Sequence, residues 1–158
     1  MQIFFPKEKE SESRVSILPE TVKKLVELGI SVEVEASLGK TVHVSDDLYA
    51  SSGASISKDR NSSLSLSDVT CRINKPETEE ISFLKKNSIH ISFLDPFNEI
   101  ELVKEFANSN ISAISMELIP RITRAQKMDA LSSQANLGGY AAAVSYTHLR
   151  AHETDSYL

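Results

Sequence analysis

Apolar positions fall in short runs whose period changes along the chain. Residues 2–5 form a brief apolar run closed by Pro6, which predicts a buried strand, and the charged loop 7–14 follows. Pro19 then stands at a first helical position, Val22, Leu25 and Val26 make an apolar stripe, and Gly29 supplies the stop. Residues 30–35 alternate with period two, the pattern of a strand with one face more exposed than the other. Ser45 can cap a short helix that carries Asp46 and Asp47 in its first turn, favourable against the helix dipole, and Gly53 ends it.

Residues 59–68 are rich in Ser and Asn and read as a loop with a turn of helix. Residues 69–74 make the third strand, and Pro76 opens a helix over 77–86 with carboxylates early and lysines late. Residues 88–94 make the fourth strand. Asn98 and Glu101 form a capping pair for a helix running to about Ala107, with Leu102, Val103 and Phe106 inward. Residues 111–118 are the fifth strand. Five strands alternating with helices through short connections predict an α/β fold, a flavodoxin-like doubly wound parallel sheet ending in a long interdomain helix. Its ligand edge carries the loops after each strand, at residues 7–14, 37–45, 74–77, 95–98 and 119–129.

Composition narrows the function classes. With 158 residues, 41% hydrophobic and 25% charged, the chain can bury a real core as one domain. Its net charge of -5 and the lack of a basic stripe argue against a nucleic-acid partner, which needs clustered Lys and Arg. The single cysteine, Cys71, lies in an apolar run; it excludes a disulfide framework and a cysteine zinc site, and points to a buried structural thiol in a reducing compartment. The amino terminus is too short for a signal segment, and no run approaches the ~20 apolar residues that cross a bilayer. His43 and His90 stand without a second ligand at metal spacing.

The chemistry gathers in residues 116–140, which begin as a strand and end as a helix. Between the two lie Arg121, Gln126, Asp129 and Ser132, in a polar turn at a strand's carboxyl end, where open α/β sheets place ligands. The same residues also fit a plainer pattern. Thr123 and Gln126 match a capping box, and Gln126, Asp129, Ser133 and Asn136 recur as the polar face of any amphipathic helix. Gly138 and Gly139 are not a dinucleotide fingerprint, because the Gly-x-Gly-x-x-Gly pattern and its strand are absent.

The run Pro-Arg-Ile-Thr-Arg-Ala-Gln-Lys-Met-Asp-Ala-Leu-Ser-Ser-Gln-Ala-Asn-Leu-Gly-Gly-Tyr at 120–140 closely resembles the NAD-binding alpha subunit of proton-translocating NAD(P) transhydrogenase. Pro6, Lys7 and Glu8, then Glu12 to Val15 with Pro19, Val22, Leu25 and Gly29, resemble the amino-terminal domain that transhydrogenase shares with alanine dehydrogenase. The resemblance spans residues 1–144. Two positions separate the two enzymes. At the place of the dehydrogenase's catalytic lysine stands Asn74, with Lys75 one residue off and so on the opposite face of a strand; its catalytic histidine is replaced within Phe93-Leu94-Asp95-Pro96. An amino-acid dehydrogenase needs such an acid/base, whereas direct hydride transfer between nicotinamides does not.

The resemblance implies that Arg121, Asp129 and Ser132 contact the nicotinamide end of NAD(H), and that Gln126 reaches toward NADP(H) held by a partner domain. Gln126 and Asp129 thus become the candidate catalytic positions. It further implies membrane-embedded and NADP-binding partner subunits or domains, a homodimer in the intact protein, and a cytoplasmic site peripheral to the inner membrane. Arg14 matches an arginine that holds the substrate carboxylate in alanine dehydrogenase; with the rest of that site missing, an ion pair or loop hydrogen bond is the expectation. Residues 145–158 match nothing in the family and read like translated adapter sequence joined to a truncated frame, so the Rossmann NAD domain is expected to be missing. His148 and His152, four apart, are weak evidence for a metal. The remaining readings are an NAD-dependent alanine dehydrogenase fragment and a non-enzymatic flavodoxin-like binding module.

Overall fold

The computed structural model describes the backbone of residues 1–154 and the side chains of residues 1–145 other than 131 and 133. The tail's His148 and His152 lie outside the described side chains. The chain divides into two units, Met1–Ser115 and Met116–Leu158.

The first unit is built on β1 (Gln2–Phe5), which pairs in parallel with β2 (Ser31–Glu35) on one side and β4 (Val69–Cys71) on the other. Because neighbouring strand residues point to opposite faces, Phe4 and Phe5 enter different cores. Phe4 packs with Leu64, Ile81, Leu84, Leu94, Leu102, Phe106 and Ile111. Phe5 packs with Ile17, Val22, Val32, Val34, Leu38, Tyr49 and Ala54. Each phenylalanine contributes roughly 1.5–3 kcal/mol by leaving water, so one dipeptide stabilises both layers. Helices α1 (Pro19–Glu27) and α2 (Asp46–Ser51) cover the Phe5 face; α3 (Arg60–Leu66), α4 (Thr78–Ile81) and α5 (Ile100–Asn108) cover the other. Pro19 opens α1, and Gly29, at φ +80°, follows its end as expected.

All strands are parallel, but the sheet has six, in the order β3-β2-β1-β4-β5-β6, where β5 is Ile89–Ser92 and β6 is Ser112–Ser115. The unforeseen one is β3 (Ser55–Ser57), set against β2 with Glu33 opposite Ser55 and Glu35 opposite Ser57. Ser-Ile-Ser has little strand propensity of its own, and pairing to β2 makes it a strand. Without this edge strand the other five keep the flavodoxin order.

Local expectations shift in the same spirit. Residues 59–68 hold more helix than the single turn expected: Asp59 accepts the Ser62 amide at 3.3 Å and caps α3, whose Leu64 is buried. The helix expected over 77–86 shortens to α4, followed by single turns in which Phe83 donates to Glu80 and Leu84 to Ile81. Asn98 caps nothing; its amide donates to the Asp95 carboxylate at 2.9 Å, and Glu99 occupies the cap position of α5. Ser45 holds the cap position of α2 without a side-chain bond. On α5, Leu102 and Phe106 are buried, but Val103 is exposed. The fifth expected strand stops at Ser115 and passes into a 3₁₀ turn, Met116–Leu118.

The second unit continues through a 3₁₀ helix, Thr123–Met128, into α6 (Ala130–Thr154). Among the described residues no helix is long and apolar enough to cross a membrane.

Candidate functional site

In the second unit the polar turn forms an open cavity of about 310 Å³, lined by Arg121, Ile122, Thr123, Gln126, Asp129 and Ser132. All four residues singled out in the sequence, Arg121, Gln126, Asp129 and Ser132, meet there. The backbone explains the convergence. Ile122 donates to Pro120 O at 2.9 Å in a γ-turn, and Ala125 donates to Ile122 O at 2.9 Å to open the 3₁₀ helix. Thr123 and Gln126 do not make the capping box: Ile122 holds the cap position, with no side-chain bond. The cap belongs instead to Asp129, just before α6. Its Oδ1 accepts the Ser132 amide at 2.9 Å, and its Oδ2 accepts the Ser132 hydroxyl at 2.6 Å. The plainer structural reading of this stretch is therefore half right, with the capping residue displaced.

Chemically the cavity offers a guanidinium, a carboxamide, two hydroxyls and a carboxylate. Arg121 can donate in a fork to a carbonyl oxygen, while Asp129 and Ser132 can accept from an amide. This donor set fits a nicotinamide head group, whose carboxamide carries one acceptor oxygen and one donor NH2.

In the first unit the carboxyl edge of the sheet carries a second cavity, of about 340 Å³, lined by the loops after β1 and β2, among them Glu8, Glu12, Arg14, Leu38, Lys40 and His43. Its organiser is a residue that the sequence marks only as part of the family pattern, with no role of its own. Glu8 is nearly buried, and its carboxylate accepts the Ile73 amide at 2.6 Å, the Asn74 amide at 3.3 Å and the Asn74 side chain at 3.1 Å. A carboxylate three residues past a buried strand, facing the open end of its neighbour, was the available signal. Arg14 behaves as expected of an ion pair: its Nε and Nη2 donate to the two Glu12 oxygens at 2.8 and 2.7 Å. That guanidinium holds the Glu12 carboxyl down at about 2. Asn74 also donates to Glu12 at 3.2 Å, and Lys75 pairs with Glu99.

Behind this edge runs a charge network. Arg72, whose side chain is 3% exposed, donates to Glu80 at 2.7 Å. Arg60 reaches the other Glu80 oxygen at 2.8 Å and donates to Lys7 O at 3.0 Å, while Glu35 accepts the Lys7 amide at 2.7 Å. Cys71 is largely buried, and burial pushes its thiol up to about 11, which leaves it inert as a nucleophile. His90 is buried in β5, with Nε2 at 3.1 Å from Ser92 Oγ and its ring against Phe106. Among the described residues no group of His, Cys, Asp and Glu is placed to hold a metal ion.

Known proteins are similar to this chain in sequence and in fold. An NAD(P) transhydrogenase alpha-subunit chain of Rhodospirillum rubrum is 39% identical over 150 residues, covering 91% of this chain and 39% of that protein. Alanine dehydrogenase 1 of Staphylococcus aureus is 31% identical over 127 residues, covering 80% and 34%. The solved transhydrogenase of Sinorhizobium meliloti superposes with a TM-score of 0.84 at 38% identity, over 92% of this chain and 43% of that one. The chain thus spans well under half the length of these relatives. Residues 4–138 match the family described as alanine dehydrogenase/PNT, N-terminal domain, and the chain belongs to that family.

Proposed function

We propose that this chain is the amino-terminal portion of the NAD(H)-binding subunit of an NAD(P) transhydrogenase, which passes hydride between NADH and NADP+ while a membrane-embedded partner translocates protons. Residues 1–144 form the family-type domain, and residues beyond them lie outside it. The observation that carries this reading is the single cavity shared by Arg121, Gln126, Asp129 and Ser132. The bound dinucleotide supplies the hydride. Arg121, Asp129 and Ser132 hold its nicotinamide end by the carboxamide, and Gln126 points toward the NADP(H) nucleotide on the partner domain. Hydride transfer between two nicotinamides would need no proton from the protein, so the role of these residues would be to orient the rings and limit access of water.

The first-unit edge supports the same choice over an amino-acid dehydrogenase. Asn74 cannot exchange a proton with an amine, and its amide is engaged by Glu8 and Glu12. Nor is Lys75 available as a substitute, because it pairs with Glu99. In the parent assembly, the expected partners are the NADP-binding and membrane domains and a second alpha subunit, on the cytoplasmic side.

Titration of the ¹⁵N-labelled chain with NADH tests the proposal. Amide shifts are expected at Arg121, Gln126, Asp129 and Ser132, with a dissociation constant of about 1 mM or weaker, because contacts at one end of a dinucleotide contribute only ~4 kcal/mol. Micromolar binding, or shifts confined to the loop bearing Glu8 and Arg14, would overturn it. Pyruvate- and ammonia-dependent NADH oxidation by the longer protein would favour an alanine dehydrogenase instead.

A further inference from the structure

The loop between β5 and α5 holds an aromatic side chain out from the first unit on a rigid turn. Phe97 is 78% exposed, and Ile100, at the start of α5, is 57% exposed. Apolar residues exposed singly are ordinary on protein surfaces, but this pair stands on a fixed backbone. Asp95 takes the left-handed conformation, at φ +50°, which aspartate tolerates better than most residues. Its carbonyl accepts the Asn98 amide at 3.0 Å and the Glu99 amide at 2.9 Å, and its carboxylate accepts the Asn98 side chain at 2.9 and 3.0 Å. Pro96 fixes the next φ, and Lys75, just past β4, pairs with Glu99. The turn is ordered before it meets a partner, which lowers the entropy lost in any contact made through Phe97.

The same unit carries a groove of matching character. Leu18, Pro19, Val44 and Leu48 line an open cavity of about 330 Å³ between the start of α1 and α2, with Glu20 the one charged residue among its walls. Leu18 and Leu48 are each half exposed. Ile100 belongs to α5, which covers the Phe4 side of the sheet, whereas α1 and α2 cover the Phe5 side. A chain therefore cannot place its own turn in its own groove. We propose that the Phe97 turn of one copy docks in the groove between α1 and α2 of a second copy of this chain. Phe97 supplies the large apolar side chain, Ile100 widens the contact, and the leucines of the groove leave water with them. An aromatic anchor buries only roughly 150–250 Å², so the contact is weak, with a dissociation constant on the order of 0.5 mM. Because the two patches differ, the contact is heterologous. Each added copy still offers a turn at one end and a groove at the other, and assembly does not stop at two.

Sedimentation equilibrium of the whole chain provides the test. Between about 20 µM and 1 mM the weight-average mass should rise from near one chain to about three-fold that value. Phe97→Ser removes the knob, Leu48→Glu blocks the groove, and each variant alone should remain near one chain. Ser51→Arg overhangs the groove without touching the core and should act as Leu48→Glu does; the near-ultraviolet dichroism of Tyr49 checks that each variant is folded. An equimolar mixture of Phe97→Ser and Leu48→Glu pairs the intact groove of one with the intact turn of the other. At about 1 mM total its mass should recover to about 1.4-fold one chain and go no further than a dimer. In ¹⁵N spectra of the concentrated wild-type chain, amides at 95–100 should shift together with those at 18–20 and 44–52. A wild-type chain that stays monomeric at about 1 mM, association that persists in Phe97→Ser, or a mixture no heavier than its components would overturn the inference. Shifts at the groove without shifts at the turn would give the groove to another occupant and overturn it as well.

Discussion

Replacing Glu80 with Ala should destabilise the first unit far more than a surface substitution would. Glu80 is the shared counter-ion of two arginines, accepting a hydrogen bond from Arg72 at 2.7 Å and lying 2.8 Å from Arg60 Nε. The two cations are not equivalent. Arg60 is a third exposed and can turn to water and to Glu35, 3.7 Å away. Arg72, at 3% side-chain exposure, cannot, so the variant strands a guanidinium in a dry site. Truncating one partner of a buried pair costs about 3–5 kcal/mol, and the partial exposure of Glu80 places this case near 3 kcal/mol. For a unit of this size the melting temperature should fall by roughly 10 °C. The near-ultraviolet dichroism of the buried Tyr49 reports on that unit. The double variant Arg72→Met with Glu80→Leu removes both charges and should recover to within about 1 kcal/mol of wild type. Melting of Glu80→Ala within about 2 °C of wild type, or a double variant no better than the single one, would refute the reasoning.

Other expectations follow from single residues. Burial holds His90 neutral, its pKa lowered from 6.5 to about 3 with a smaller contribution from Arg72. The unfolded chain thus binds a proton that the folded chain refuses; this stabilisation is complete above pH 6.5 and is lost toward pH 3, by about 1.4 kcal/mol per unit. Urea titrations at pH 7 and pH 5 should show the loss, and His90→Asn should flatten it. A Cβ on Gly39 would meet the Val44 carbonyl oxygen and lie 2.9 Å from Tyr49 Cε2, so Gly39→Ala should cost about 1–3 kcal/mol by urea denaturation. Cys71, with its thiol raised to about 11, should resist alkylation at pH 8 in the folded chain and react quickly in urea; equal rates in both states would show that it is not enclosed.

The sequence displayed what depends on local chemistry and concealed what depends on pairing across the fold. Pro19, Gly29 and the alternation of Val32 and Val34 carry their own instructions, and each element appears where its pattern indicates. β3 carries none, because Ser55 and Ser57 become a strand only beside Glu33 and Glu35. Glu8 looked like one more charge in a solvated loop, since its partners, Ile73 and Asn74, lie 65 and 66 residues away. At the candidate site the four residues were legible as a group, but the capping role was not. Thr123 and Asp129 are both good cap types, and only the 3₁₀ path of the backbone decides between them.

The place of β1 in the sheet also bears on how the chain must be assembled. It precedes the other strands of this sheet along the chain, yet it sits in the interior, between β2 and β4. Phe4 and Phe5 therefore leave the ribosome long before Val69 to Cys71 can close the second side of their strand. The amino-terminal half alone would present an unpaired strand edge with an aromatic side chain on each face, the kind of surface that invites association between nascent chains. Production should thus be more sensitive to chaperone supply and translation speed than to changes at the outer strand β3, whose pairing can wait until the centre is complete.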